Sequence, residues 1–192
     1  MTQVASVRLF IAIEIPENIR ITFASLLKEF RAVAPHLKWV RAENLHVTLK
    51  FLGETDPSKS GALQNALSAV RSPEPVNLEF RGLGFFPNQK RPRVFWAGME
   101  ASQNLNALAA HIDQAAHKLG FPLEERAYEP HLTLARIPLP IIPPKLLQAI
   151  SEKSSQSLGS IRTAEFHLIE SKLKPAGAEY TTVQTFHFPM EA

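Results

Sequence analysis

The sequence predicts an α+β protein of two similar lobes with antiparallel-rich sheets, flanking helices and an approximate two-fold relation. Three observations predict this class. Short apolar alternations that read as strands are interleaved with segments of helical periodicity. The pattern His-x-Thr-Leu occurs twice, as His46-Val47-Thr48-Leu49 and His131-Leu132-Thr133-Leu134. Sliding the chain by the 85 residues that separate His46 from His131 brings further identities into line. Arg8, Phe10 and Ala12 fall on Arg93, Phe95 and Ala97. Ala24 falls on Ala109, and Arg41-Ala42 on Arg126-Ala127. With His46, Thr48 and Leu49 that makes nine identities without a gap, where composition alone gives roughly two or three. A long-period repeat constrains the whole architecture. The expected organisation is one bilobal domain, 1–192, with approximate halves 7–86 and 92–188 and a cleft between them lined by the two motif strands.

Each element has its own signal. Leu9, Ile11, Ile13 and Ile15 alternate with Arg8, Phe10, Ala12 and Glu14, a strand pattern. Pro16-Glu17 opens a helix, because proline suits the first turn. Ile19, Phe23, Leu26, Phe30 and Val33 give it one apolar face, and Pro35 ends it. A short strand around Leu37–Val40 leads into the first motif strand, Leu45–Leu52, which Gly53 is expected to stop. Asp56-Pro57 reads as a cap and first turn, followed by a helix through Leu63, Ala66, Leu67 and Val70. Val76–Phe86 is extended. The second half repeats the order, with a strand at Arg93–Met99 and a helix capped by Ser102. That helix has its face at Leu105, Leu108, Ile112 and Leu119 and its stop at Gly120. The second motif strand is His131–Ile137. Pro143-Pro144 precedes a helix through Leu146, Leu147 and Ile150, and extended segments at Ala164–Ser171 and Tyr180–Phe188 complete the pattern.

Composition excludes several function classes. The chain has 192 residues, 45% of them hydrophobic, which is enough for a proper core. No apolar run approaches the ~20 residues that span a bilayer, so no membrane partner is expected. The opening Val7–Ile13 segment is too short and lacks the basic leader of a signal peptide. There is no cysteine, hence no disulfide, thiol nucleophile or thiolate metal site. A cytoplasmic protein is the simplest expectation. A net charge of +3 suits an anionic substrate without arguing for nucleic acid.

The paired motifs carry the chemistry. On a strand, residues two apart face the same way, so each copy offers an imidazole and a hydroxyl to one surface. Histidine is the side chain whose ordinary pKa lies near neutrality. One imidazole can take a proton and the other can give one to a leaving oxygen. Thr48 and Thr133 can hydrogen-bond the non-bridging oxygens of a phosphate held between the rings. Lys50 shares the parity of His46 and Thr48 and is expected in the cleft. Arg136 has the opposite parity to His131 and reaches the cleft only if the strand ends, twists or bulges there.

With these residues in view, the chain resembles a known family. LHVTLKFLG and PHLTLAR, with RLFIAIEIP, PRVFWAGME and ESKLKPAGAEY, are similar to segments of the RNA 2′,3′-cyclic phosphodiesterases. That family was first described as 2′–5′ RNA ligases and belongs to the two-histidine phosphoesterase superfamily. The resemblance implies a bilobal fold with both motifs in a central cleft. It also implies metal-independent opening of a terminal 2′,3′-cyclic phosphate to a 2′-phosphate, with no cofactor. Carried over by motif position, His46 is the proton donor to the departing 3′ oxygen and His131 the acceptor that activates water. Thr48 and Thr133 bind the phosphate. The family's arginine five residues after the second histidine is Arg136 here. The expected partner is RNA with a 2′,3′-cyclic phosphate end or a related nucleotide.

From the residues alone the acid and base roles are exchangeable. Three functions stay open: the hydrolase, a 2′–5′ ligase or cyclic nucleotide phosphodiesterase of the same superfamily, and a non-catalytic RNA-end binding module. A monomer is expected, since both half-sites lie in one chain. Other candidates have plainer readings. His111 and His117 are six apart on one helix and do not share a metal-binding face. His36, His167 and His187 read as surface or packing residues. Phe10, Trp39 and Tyr128 could stack on a base but read better as core or rim. Lys90, Arg91 and Arg93 read as a solvated loop that could meet an RNA backbone.

Overall fold

The computed structural model describes residues 6–175 and 177–188, so both ends of the expected 1–192 domain lie outside the described residues. Alternation of Leu9, Ile11 and Ile13 with Phe10 and Ala12 makes β1 (Val7–Glu14). The apolar face of Ile19, Phe23, Leu26, Leu27 and Phe30 is buried along α1 (Glu17–Val33). β2 (Lys38–Trp39) follows, then β3 (His46–Thr55), which carries the first motif. Asp56 caps the next turn, accepting a bond from the Ser58 amide, and α2 (Ser60–Ser68) follows. The remaining elements are β4 (Val76–Phe86), β5 (Val94–Ala101), α3 (Asn104–His117), β6 (Leu132–Arg136), α4 (Pro144–Lys153), β7 (Ser157–Thr163), β8 (Glu165–Lys174) and β9 (Gly177–His187).

Among the described residues, nine strands form one antiparallel sheet in the order β7-β4-β5-β6-β3-β1-β8-β9, with β2 on the free edge of β6. The expected α+β class holds, with the two lobes as halves of one continuous sheet rather than separate sheets. The order reads alike outward from the β6–β3 seam, and that seam is one residue pair, Val47 opposite Leu132. Beyond it the strands diverge, β6 toward β2 and β3 toward the segment 121–131. Each half sends its helix beneath the other. Helix α1 packs Phe23 on Phe80 of β4 and Phe30 on Phe95 of β5. Helix α3 reaches β3 through Asp113 and Lys50. The four phenylalanines are fully buried, and truncating one such ring costs about 3–5 kcal/mol. Helices and core therefore occupy one face of the sheet. A small cluster of Phe10, Ala12, Ile169 and Tyr180 marks the other, open face.

The structure corrects three expectations and adds one strand. Gly53 does not end the motif strand; with φ of 71° it follows the extra residue Leu52 in a bulge, and β3 runs on to Thr55. Ser102 does not cap α3; its hydroxyl donates to Asn104 and accepts the Asn77 amide. Strand β7 carries no clear sequence signal, because Gly159, at φ of 109°, interrupts its alternation. The constant offset also fails at the first strands. Ala12 lies opposite Thr48, whereas Trp96 lies opposite Thr133. Trp96 and not Ala97 is thus the counterpart of Ala12. The identities Phe10/Phe95 and Ala12/Ala97 sit on opposite faces, since a slip of one residue inverts a strand.

Candidate active site

Antiparallel register builds the site around the seam. With Val47 opposite Leu132, the next pairs outward are His46 with Thr133 and Thr48 with His131. All four side chains are half-buried on the open face, while Val47 and Leu132 enter the core. The two rings are held alike. His46 Nδ1 donates to the Asn44 carbonyl at 2.8 Å, and His131 Nδ1 donates to the Glu129 carbonyl at 2.8 Å. Each bond fixes the tautomer and leaves Nε2 free to exchange a proton in the cleft. Asn44 is itself anchored to the Ala178 carbonyl at 2.7 Å. The ring of His46 lies 4.7 Å from Phe10 and edge-on to Tyr180 at 5.3 Å. The ring of His131 lies edge-on to Phe86 at 4.9 Å. Burial pulls the His46 pKa below its ordinary value, and charge on His131 adds to this. The Asn44 carbonyl and Glu14 oppose it. Burial raises the Tyr180 phenol, against the pull of Arg136 and Arg8.

A bulge decides the other two candidates. Leu49 is an extra residue between Thr48 and Lys50, which face Ala12 and Ile11 on β1. Lys50 therefore turns with Ile11 to the core side, and Phe51 takes the open face. This corrects the face that parity gave Lys50, although its buried side chain still lies at the wall of the groove beside Thr48 and His131. Its ammonium is buried and pairs with Asp113 and with the Pro122 carbonyl at 2.8 Å. It ties α3 and the segment 121–131 to β3. Leu134 is the matching extra residue on β6, so Arg136 lies opposite Val94 on the open face and is exposed. The bulge meets the condition that the sequence set for Arg136.

On the Thr48–His131 side a groove of about 1270 Å³ opens, with Phe51, Phe86, Arg93, Arg126 and Tyr128 among its walls. Arg93 is the member of the basic run that reaches it. The amides of Lys90 and Arg91 bond the Asn88 side chain in the preceding loop. The proposed stacking residues are engaged. Phe10 is buried, Trp39 packs on Phe30 and Phe95 and donates to the Ala34 carbonyl, and Tyr128 donates to the Thr48 carbonyl at 3.0 Å. His117 Nδ1 donates to the Phe121 carbonyl; among the described residues no group of three or more metal-ligating side chains forms. His167 is buried, and His36 and His187 are exposed. No helix among the described residues is long and apolar enough to cross a membrane.

Sequence reasoning missed Tyr180, Phe86, Trp96 and Glu14. Tyr180 reaches His46 only through the β1–β8 and β8–β9 ladders, which no local pattern reports. Glu14 had a weak signal, as the one charged residue at the end of an apolar strand.

Comparison with known proteins gives the family and the fold. A family model described as LigT like Phosphoesterase matches the chain twice, over residues 13–96 and 98–180, the two starts displaced by the same offset as the two motifs. The RNA 2',3'-cyclic phosphodiesterase of Methanothermobacter thermautotrophicus is 35% identical over 181 residues, covering 94% of this chain and 98% of that protein. The protein of that name from Methanocaldococcus jannaschii is 36% identical, covering 92% and 98%. Among solved structures, TT0787 of Thermus thermophilus superposes with a TM-score of 0.78 at 29% identity, covering 96% of this chain and 100% of that one. E. coli LigT complexed with 3'-AMP gives 0.75 at 27% identity, covering 95% and 98%. Matched twice by one family model and aligned nearly end to end with these relatives, the chain belongs to the LigT-like phosphoesterase family.

Proposed function

We propose that this protein opens 2′,3′-cyclic phosphate ends of RNA by hydrolysis to a 2′-phosphate, using His46 and His131 as acid and base without a metal ion. The observation that carries the reading is the pair of imidazoles with Nδ1 tied to backbone and Nε2 free, each set across the ladder from the other motif's threonine. The relatives named RNA 2',3'-cyclic phosphodiesterase support the substrate class, and the 3'-AMP complex of E. coli LigT supports a nucleotide ligand. The phosphate sits between the rings, its non-bridging oxygens bonded by the hydroxyls of Thr48 and Thr133. Arg136 neutralises charge as it builds. His131 Nε2 takes a proton from water as its oxygen bonds to phosphorus. The bond from phosphorus to the 3′ oxygen breaks, and His46 Nε2 gives that oxygen its proton. The product carries a 2′-phosphate and a free 3′-hydroxyl.

The deciding experiment is product identity. A short RNA ending in a 2′,3′-cyclic phosphate is incubated in excess EDTA with wild type and with His131→Ala. A 2′-phosphate from wild type alone is expected. Tight binding by both proteins without turnover would point instead to an RNA-end binding module.

One observation favours a second activity of the same pair. The groove beside His131 has room for a nucleoside next to the position of the attacking water. A 5′-hydroxyl placed there would attack the same phosphorus and join the ends through a 2′–5′ linkage. Counting joined against hydrolysed ends at rising RNA concentration separates the two outcomes.

A further inference from the structure

The proposed reaction gives two similarly held imidazoles opposite duties, and the inference drawn here rests on that reading. The rings differ in what stands across the ladder on their outer side. Glu14, the last residue of β1, is the partner of His46. In the second half Ala97 pairs with Leu132, so the next step outward sets Gly98 opposite His131. No side chain fits there. A Cβ on Gly98 would lie 2.9 Å from the Arg81 carbonyl oxygen and 3.1 Å from the Trp96 ring. At this ladder position a carboxylate therefore stands beside His46, and the matching position beside His131 has no room for one; the acidic residues that share a groove with His131, Glu124 and Glu129, come from the segment before the motif.

The carboxylate is held in place. Its Oε1 accepts the Thr182 hydroxyl, and Thr182 lies two residues from Tyr180, whose ring meets His46. Behind it His167, on β8, sets Nδ1 3.8 Å from Glu14 Oε1 and 3.1 Å from the Thr185 hydroxyl oxygen. Glu165 flanks His167 at 3.8 Å and pairs with His187 at 3.2 Å. The titratable groups around His46 are thus Glu14 from β1, His131 immediately before β6 and Tyr180 from β9, the last also sensing Arg8 and Arg136. Of these side chains His131 opposes a charge on His46 and Glu14 favours one. The Asn44 carbonyl also favours it but has a twin in the Glu129 carbonyl at His131, so it does not distinguish the rings.

We propose that Glu14 is the positioning residue that breaks the symmetry of the pair, favouring the transferable proton on His46 at a position where His131 has no matching carboxylate. The need arises at every turnover. After the reaction His131 holds the proton taken from water and His46 lacks the one it gave. Exchange with solvent must restore the starting arrangement, and the carboxylate paired with His46 favours return of the proton to that ring. His167 and Thr182 orient that carboxylate.

The test is Glu14→Gln, which keeps size and an acceptor for Thr182 but removes the charge, with Glu14→Asp as the conservative control. Two readouts are taken: the NMR titration of each imidazole, and the pH profile of kcat/KM on RNA with a 2′,3′-cyclic phosphate end. In Glu14→Gln the His46 midpoint is expected to fall by about one pH unit, with a much smaller change at His131. One limb of the profile moves with it, and kcat/KM at neutral pH drops about tenfold. Glu14→Asp retains most of the wild-type behaviour. Equal movement of both histidines, or movement of neither, overturns the proposal. If wild type makes no 2′-phosphate, the functional reading fails, while the titrations still decide whether Glu14 distinguishes the two rings.

Discussion

On β3 the run Val47-Thr48-Leu49-Lys50-Phe51 goes buried, half-buried, buried, buried, exposed; on β6 Leu132-Thr133-Leu134-Ala135-Arg136 repeats that order residue for residue. Both strands bulge at the residue after the motif threonine, and both histidines bond a carbonyl two residues upstream. Their neighbours differ. The second position after the extra residue holds Phe51 in one half and Arg136 in the other. The outer partner of the histidine is Glu14 in one and Gly98 in the other. Strand β2 covers the free edge of β6, whereas the stretch before the second motif forms no strand and leaves the groove open beside β3. The motif thus supplies equivalent hydrogen-bonding groups on either side of the seam. The surrounding strands give the site its direction, with the cation from one half and the carboxylate beside the other half's histidine.

The largest effect should come from the histidines, and a change of leaving group tells them apart. Replacing either by alanine is expected to cost about 10²–10⁴-fold in kcat/KM with the circular dichroism spectrum unchanged. A cyclic phosphate with sulfur at the bridging 3′ position leaves as a thiolate, which needs little proton donation. On that substrate His46→Ala should recover most of its loss and His131→Ala none. Equal recovery by both would mean that the roles are shared and the comparison of the two halves has no chemical consequence.

The residues after the bulges are next. Lys50→Met leaves Asp113 without its cation and the Pro122 carbonyl without its donor. Breaking a buried pair costs about 3–5 kcal/mol, here at the lower end because Asp113 is partly exposed. A fall in Tm of roughly 10 °C follows for a chain of this size, with kcat/KM of the folded protein within about threefold of wild type. Loss of activity without loss of stability would put the lysine back in the cleft. Arg136→Ala should behave oppositely, losing about 10- to 100-fold in kcat/KM, the worth of one charge-assisted bond in the transition state, with Tm nearly unchanged. Phe51→Leu, at the matching position, should change kcat/KM by much less.

These variants also mark where the sequence can be read and where it cannot. His46, Thr48, His131 and Thr133 are legible because strand parity over two residues is local, and helix α1 because its apolar face and flanking prolines lie within one segment. Parity misplaces Lys50 and leaves Arg136 open for one reason: a bulge is a relation between two strands. The residues that accommodate Leu49 and Leu134 belong to β1 and β5. The same blindness to pairing aligns Phe10 with Phe95 although they face opposite ways. Glu14 escapes notice because its importance lies in a contrast with Gly98, and a glycine shows nothing in a sequence until a neighbouring strand fills its space.

The smallest expected effect tests the burial of His46 rather than its chemistry. Its pKa in the folded protein lies below the ordinary imidazole value of 6.5, chiefly because the ring is desolvated against Phe10 and Tyr180. The unfolded chain therefore takes up this proton first as pH falls, and stability rises with pH wherever the unfolded state binds more protons. The contribution is fully present above 6.5 and is lost as pH drops through that value toward the folded-state pKa. Urea unfolding at about pH 7.5 and about pH 5.5 should show a loss on acidification that is smaller in His46→Gln than in wild type. Glu14→Gln should enlarge the loss, since it removes a group that favours the charged ring. An unchanged loss in His46→Gln would mean that the ring is solvated in the folded protein. The contrast between the two halves would then rest on Arg136 and Phe51 alone.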